Sequence, residues 1–330
     1  MNKKILTIAV PSFNAEKYLV ETIPTVLNLK NIELVDLIII NDGSKDDTLS
    51  VANKMKRDYP NIIQVVDKEN GGHGSAVNSG IKYAKGKYFK VLDADDWVDT
   101  ENLDKLIEFL KTTDIDEIVS PYYKVIVDSK GDITDSEEYN EFDKIEDRVE
   151  YTADEFFCKM GRTVGMHTIT MKTEILKNNN IVLTENMFYV DMEYITYILP
   201  YIKNIVLFNM PIYKYRLGTQ TQSVSDESYE RNRDMHKQVI YNLINFYEKL
   251  STSKSIKKVI RKLIVNLIGK QWEIYYNMSD IELSKKDEAL FKEKLLNSGL
   301  YGEYNKYAIG VIKIKKYVKI YIKKIMRKSR

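Results

Sequence analysis

Four aspartates close the stretch GKYFKVLDADDWVD, residues 86–99. Asp93, Asp95, Asp96 and Asp99 follow a run of apolar and aromatic residues, although Asp is depleted from strands and an unpaired carboxylate is costly to bury. Carboxylates crowded at a strand end repel one another unless they hold a cation or cap the next helix. A magnesium-type cation takes oxygen ligands and commonly uses one or two carboxylates together with substrate phosphates. The alternative for part of the cluster is that Asp96 or Asp99 caps a helix beginning near Thr100.

Three other polar segments have types and spacings that could do chemistry: PSFN (11–14), NDGSKDDT (41–48) and ENGGHGSAVNSG (69–80). A turn at Gly43 with a cap at Ser44 or Asp46 accounts for much of the second, but not for Asp42. The glycines of the third do not form a dinucleotide fingerprint, which belongs after a first strand and before a ribose-binding acid. A phosphate loop fails as well, since GIKYAKGKY puts Tyr88 where Ser or Thr is required. Such glycines suit a close backbone approach to a ligand at a helix start.

The elements that must position these segments are legible as alternating patterns. ILTIAV (5–10), VDLIII (35–40), NIIQVV (61–66) and KYFKVL (87–92) are short, β-branched runs that fit buried strands. Helical patterns lie between them near 15–29, 46–59 and 75–84. Repeated βα units imply a parallel α/β layer, in which ligands bind beyond the carboxyl ends of the strands. All four polar segments follow strands, so they converge at one sheet edge.

Composition sets the outer limits. The chain has 330 residues, 44% hydrophobic and 11% aromatic, which is globular and long enough for two domains or one domain with an appendage. The single Cys158 excludes an internal disulfide framework and fits a reducing compartment. The apolar run after the first lysines is too short for a signal-peptide core or a membrane span, and the expectation is a cytoplasmic protein. The net charge of +2 conceals a division, because residues 304–330 carry ten Lys and Arg and no acid. An acidic body with one basic segment is unlike a nucleic-acid binder, whose charge lines a whole face.

In this order and at these positions, PSFN, NDGS, NGGHGSAVNSG and LDADDW resemble the nucleotide-sugar-binding half of family-two glycosyltransferases, whose fold is called GT-A. HTITMKTEILKNNNIVLTENMFYVDMEY and YKYRLGTQTQSVS, within 167–225, are similar to the acceptor half of bacterial members that build capsular, exopolysaccharide or teichoic-acid-type glycans. The resemblance implies a mostly parallel α/β sheet flanked by helices over 1–225, with 1–120 as the nucleotide-sugar half and 121–225 as the acceptor half. Residues 226–330 form a helical extension beyond it. The implied activity is a metal-dependent, inverting transfer of a hexosyl or N-acetylhexosaminyl group from a UDP-sugar to a growing glycan or lipid-linked acceptor, with Mn²⁺ or Mg²⁺. A catalytically degenerate nucleotide-sugar-binding or scaffold protein is the competing class. A nucleotidyltransferase would need a Gly-rich, basic loop in place of PSFN.

The resemblance also assigns residues. It makes Asp95 the direct metal ligand and puts Asp93 on the ribose side or in the metal shell, with Ala94 permitting close approach. Pro11, Phe13 and Asn14 would contact base and ribose, Phe13 as a flat face for uracil. Asp42 would accept from the base N3–H, while Asn70 and Gly71, with Asn78 on the next helix, would follow the nucleotide. Many relatives carry Arg where this chain has Val77. Asp191 would be the general base, with a helix N-cap as its alternative, and Val190 replaces the first carboxylate of a Glu-Asp pair. Glu193 stays open. His167, at the start of a strand HTITM, is either a pocket wall near acceptor or sugar or ordinary structure. Arg216 and Ser223 lie in a Gly-, Gln- and Ser-rich loop that either orders over a diphosphate or is plain surface.

Beyond Asp226 the apolar positions Met235, Val239, Leu243 and Phe246, then Val259, Leu263 and Leu267, recur at helical spacing. Within 304–330, Ile314, Val318, Tyr321 and Ile325 share one helical face. A basic amphipathic helix of this kind either lies in an anionic membrane interface or docks on the protein by its apolar side.

Overall fold

The computed structural model describes residues 3–128, 130–218, 225–296 and 298. Ser223 and residues 304–330, both given roles by the sequence, lie outside the described residues. The described residues before 219, together with Ser251–Val259, make one compact unit; 225–250 and the described residues from Ile260 onward make a second.

The first unit starts with β1 (Leu6–Ser12), α1 (Glu16–Leu27), β2 (Val35–Asp42), α2 (Thr48–Asp58), β3 (Ile63–Lys68), α3 (Gly72–Tyr83) and β4 (Tyr88–Val91). It continues through β5 (Trp97–Val98), α4 (Thr100–Thr112), β6 (Glu117–Val119), β7 (Tyr122–Val127), β8 (Ile133–Tyr139), β9 (Glu150–Thr152) and α5 (Ala153–Met160). After these come β10 (Ile169–Lys172), α6 (Thr173–Asn178), α7 (Asp191–Tyr197), β11 (Asn204–Leu207) and β12 (Tyr213–Leu217). Eight strands form one sheet in the order β3-β2-β1-β4-β10-β6-β11-β9. The pairs from β3 to β4 are parallel, and so is β6 with β11; β10 and β9 run antiparallel to their neighbours. All residues of β1 and β2 are buried, as continuous apolar strands covered on both faces must be. The expected parallel α/β layer is therefore present, with its polar segments beyond the carboxyl ends of β1, β2, β3 and β4.

A four-stranded sheet, β5-β12-β7-β8, has no counterpart in the strand pattern read from the sequence. In it Trp97 and Val98 pair with Lys214 and Tyr213, which brings β12 against the aspartate segment. Two element boundaries also differ from expectation. The helix placed near 75–84 begins at Gly72, because Gly72 takes a left-handed backbone (φ 79°) and Gly74, without a Cβ, lets the Thr184 carbonyl oxygen press against the first turn. Arg216 lies on β12 and not in a loop.

The second unit contains α8 (Asp226–Arg231), α9 (Arg233–Lys249), most of α10 (Lys254–Asn277) and α11 (Ile281–Leu296). Val239, Leu243 and Val259 are buried as expected, but further along α10 Ile260, Ile264 and Ile268 are buried while Leu263 and Leu267 are only half-buried. A continuous apolar run fixes the helix but not which of two adjacent stripes faces inward. No described helix is long and apolar enough to cross a membrane.

Glu117, on β6 inside the large sheet, is 1% exposed and its Oε2 has no hydrogen-bond partner. Burial, with Asp116 adding repulsion, raises its pKa to about 8. The carboxyl is thus neutral in the fold and ionised in the unfolded chain between its ordinary value and about 8, so the native state holds the extra proton and stability falls as pH rises through that window. Glu117→Gln should leave the melting temperature nearly unchanged at pH 5 and raise it by a few degrees at pH 8–9, measured by thermal denaturation at both pH values. An equal shift at both would remove Glu117 as the titrating group.

Candidate active site

The aspartate segment is a tight turn gripped from two sides. Asp96 N donates to Asp93 O at 3.0 Å. Thr22 on α1 donates its hydroxyl to Ala94 O and Asp96 O, both at 2.7 Å. From β12, the Tyr213 hydroxyl donates to Asp96 Oδ2 at 2.5 Å and accepts from Asp93 N at 3.1 Å. Arg216 N donates to Asp96 Oδ1 at 2.7 Å, so Asp96 is turned inward and is not the cap of α4. That role belongs to Asp99, which accepts from Asn102 N at 3.1 Å.

The four acids therefore do different things. Asp93 accepts from His73 Nε2 at 2.9 Å and lies 3.3 Å from the Tyr213 hydroxyl. Burial alone would raise its pKa, but the hydrogen bond and charge of His73 leave it below the usual value. Burial and the neighbouring Asp95 and Asp93 push Asp96 well up. Asp95 is half-buried, and no other described side chain donates to its carboxylate. Burial first, then the charge of Asp93, raise its pKa. Its carbonyl accepts from Arg216 Nε at 2.6 Å, while Arg216 Nη2 donates to Glu21 Oε2 at 2.6 Å and the guanidinium lies 4.5 Å from the Trp97 ring centroid. In this arrangement Arg216 supports the turn from beneath.

His73 was not singled out from the sequence. It sits in the first turn of α3, where burial lowers its pKa but the hydrogen bond to Asp93 and the charges of Asp93, Asp191 and Asp95 raise it overall. The available signal was its type: it is the one large side chain in GGHGSA, a segment that must face the strand ends. Asp191 belongs to the same electrostatic neighbourhood, raised by burial and opposed by the charge of His73. It is the first residue of α7, with Val190 at the cap position and no side-chain capping bond, so it is not the N-cap.

The segments that follow β1, β2 and β3 are tied to one another. Phe13 is 50% exposed beyond buried Pro11, and Asn14 takes a left-handed backbone. Asn14 N donates to Ser44 Oγ at 3.0 Å and Lys45 N to Asn14 Oδ1 at 2.8 Å, joining PSFN to NDGS. Asp42 organises the glycine loop: its carboxylate accepts from Lys68 Nζ at 2.7 Å, Gly71 N at 3.0 Å and Gly72 N at 2.7 Å, and its carbonyl from Asn70 Nδ2 at 2.8 Å. Asn78 exchanges two 2.9 Å bonds with the Leu183 backbone, fastening α3 to the later chain. His167 lies in a short turn before β10. Its ring stacks on Tyr215 and packs edge-on to Tyr122, while its carbonyl accepts from buried Lys90 at 2.7 Å.

Among the described residues no three of His, Cys, Asp and Glu converge on one metal position. A cation that keeps phosphate and water ligands needs fewer, and the Asp95 carboxylate, beside Asp93 and held by no donor other than its own backbone N–H, fits that demand.

The family model described as glycosyl transferase family 2 matches residues 7–169. An uncharacterised glycosyltransferase of Haemophilus influenzae is 25% identical over 99% of this chain and 98% of its own length. The teichoic acid poly(glycerol phosphate) polymerase of Staphylococcus epidermidis is 26% identical over 90% of this chain, which spans 40% of the polymerase. The crystal structure of S. aureus TarS 1-349 in complex with UDP shares the fold, with a TM-score of 0.59 at 17% identity over 84% of this chain and 77% of that one. With the motif-bearing strand ends all inside the matched region, residues 7–169 are a glycosyl transferase family 2 region and the chain is a glycosyltransferase.

Proposed function

We propose that the chain moves a sugar from a UDP-sugar to a hydroxyl of a growing cell-envelope glycan or its lipid-linked precursor, with inversion and with Mn²⁺ or Mg²⁺. The observation that carries this reading is the half-exposed Asp95 carboxylate just beyond β4, which accepts from its own backbone N–H but from no other described residue, in a cluster that also includes Asp93, His73 and Asp191. The UDP complex of the fold neighbour and the name of the Staphylococcus epidermidis relative support the donor and the acceptor class.

In a single displacement the acceptor oxygen bonds to the anomeric carbon as the bond to the diphosphate breaks. The hydroxyl proton passes to the Asp191 carboxylate, and the bonding electrons leave with UDP. A general base is most effective with a pKa near the working pH, and burial moves Asp191 in that direction. A divalent cation, when bound, neutralises charge on the leaving diphosphate; Asp95 would hold it, with Asp93 beside it, kept ionised by His73. Phe13 offers its exposed ring to the base, and Asp42 presents the glycine loop along the nucleotide.

Asp95→Ala should nearly abolish transfer and remove the Mn²⁺ enhancement of UDP binding seen by calorimetry, with the melting temperature retained. Wild-type activity that survives exhaustive chelation would sink the metal assignment, and UDP binding without any turnover would favour a scaffold. Asp191→Asn should keep donor affinity while transfer falls by roughly 10²–10⁴, the usual worth of a positioned general base. Unchanged transfer at saturating acceptor would end the base assignment.

The basic segment 304–330 suits attachment to an anionic membrane surface, each cation near such a surface contributing about 1 kcal/mol. Deleting it should leave hydrolysis of soluble donor unchanged and abolish salt-sensitive sedimentation with anionic vesicles. Equal sedimentation of both proteins would exclude the attachment.

A further inference from the structure

Glu193 has no role in the chemistry above, yet it is 0% exposed. Its Oε2 accepts from Thr184 N at 2.8 Å and its Oε1 from the Thr184 hydroxyl at 2.9 Å. The Tyr197 hydroxyl, one turn later on α7, also hydrogen-bonds to it. These contacts close the chain from Thr184 to Glu193 into a loop whose far end carries Asp191.

The closed segment is backbone that would not hold this shape by itself. Asn186 (φ 57°) and Tyr189 (φ 65°) are left-handed, and for a bulky residue such as Tyr189 that conformation persists only where its surroundings enforce it. One set of restraints comes from the glycine loop: Asn186 N donates to Gly71 O at 2.5 Å, and Asn78 fastens Leu183. The other is the Glu193 clasp. Residues two apart on a helix do not face each other, so Glu193 grips the segment while Asp191 is turned elsewhere.

We infer that Glu193 is a positioning residue for Asp191, the Glu193–Thr184 clasp fixing the first turn of α7 against the glycine loop; this rests on the reading of Asp191 as the base. A small displacement of a reacting group can cost about 10² in rate. The test compares Glu193→Ala, Glu193→Gln, Thr184→Val and Asp191→Asn. Calorimetry with UDP and Mn²⁺ gives the fraction of intact donor sites, and transfer kcat is expressed per intact site. Glu193→Ala should lower kcat per site by roughly 10- to 100-fold, within the cost of such a displacement, with UDP affinity nearly unchanged. Thr184→Val, which keeps one of the two clasp bonds, should show an intermediate loss. Glu193→Gln should recover most of the rate, because its amide can accept from Thr184 N and donate to the hydroxyl. A loss that disappears on correction for intact sites, or wild-type kcat in both Glu193→Ala and Thr184→Val, would overturn the inference. If Glu193→Ala does not fold, the Thr184→Val rate and its difference from Glu193→Gln decide. An inactive Asp191→Asn beside a wild-type Thr184→Val would overturn the clasp alone, whereas an active Asp191→Asn would overturn the base reading itself.

Discussion

Three carboxylates within four residues at the end of β4 repel one another, and much of the first unit is arranged around that repulsion. Each is relieved differently. Asp96 is turned inward, its two oxygens accepting from the Tyr213 hydroxyl and Arg216 N, and burial with the charges of Asp95 and Asp93 pushes its pKa well up. Asp93 is paired with His73. Asp95 has the Arg216 guanidinium bonded to its carbonyl, and its carboxylate accepts from its own backbone N–H with the charges of Arg216 and His73 nearby. The compensation is fuller on the inner side of the turn than on the outer side, where the Asp95 carboxylate receives no donor from another described residue.

The second sheet follows from the same constraint. A turn of four residues with three acids has too few contacts of its own to hold a geometry, and β5 is only two residues long. Pairing β5 with β12 delivers Tyr213 and Arg216 in fixed register, one residue on each side of the buried acid. On the opposite flank Asp42 performs an analogous task with one side-chain and two backbone donors. Three donors from Lys68, Gly71 and Gly72 converge on one buried carboxylate, which leaves the glycine loop a single shape against which α3 and the 183–187 segment pack.

What was legible in the sequence is what local pattern dictates. The four apolar runs gave β1 to β4, the Asp-x-Asp spacing marked the turn, and the helix near Thr100 is present with Asp99 as its cap. The remainder depends on partners distant in the chain. Asp96 and Asp99 look alike until Tyr213 and Arg216 arrive more than a hundred residues later. Arg216 reads as a loop residue beside Gly218 because nothing local reveals that β7 and β5 await it. Asp42 reads as free to meet a base, but the loop it holds lies on a different βα unit. His73 is not marked by local pattern because its significance is the 2.9 Å approach to Asp93, twenty residues away.

The wall opposite the acids has the contrary electrostatic character, and this confines the pH response of the site. Burial, aided by the Lys90 cation, lowers His167 to about 4, and its ring is held between Tyr215 and Tyr122. Protonating it would put a second positive charge near Lys90, and the carboxylate that favours it, Asp93, is already paired with His73. Tyr122 and Tyr215 are raised by burial and stay neutral through the same range. Lys90, lowered by burial to about 7, is the one group of this wall that changes charge near neutrality, and its ammonium is tied to the carbonyls of His167 and Ile169, away from solvent. Its deprotonation would loosen the strand end beneath Asp93 without altering the acids directly. Titration on the side of His73, Asp95 and Asp191 therefore acts on the acidic cluster itself, while titration on the aromatic side acts through the backbone that carries it.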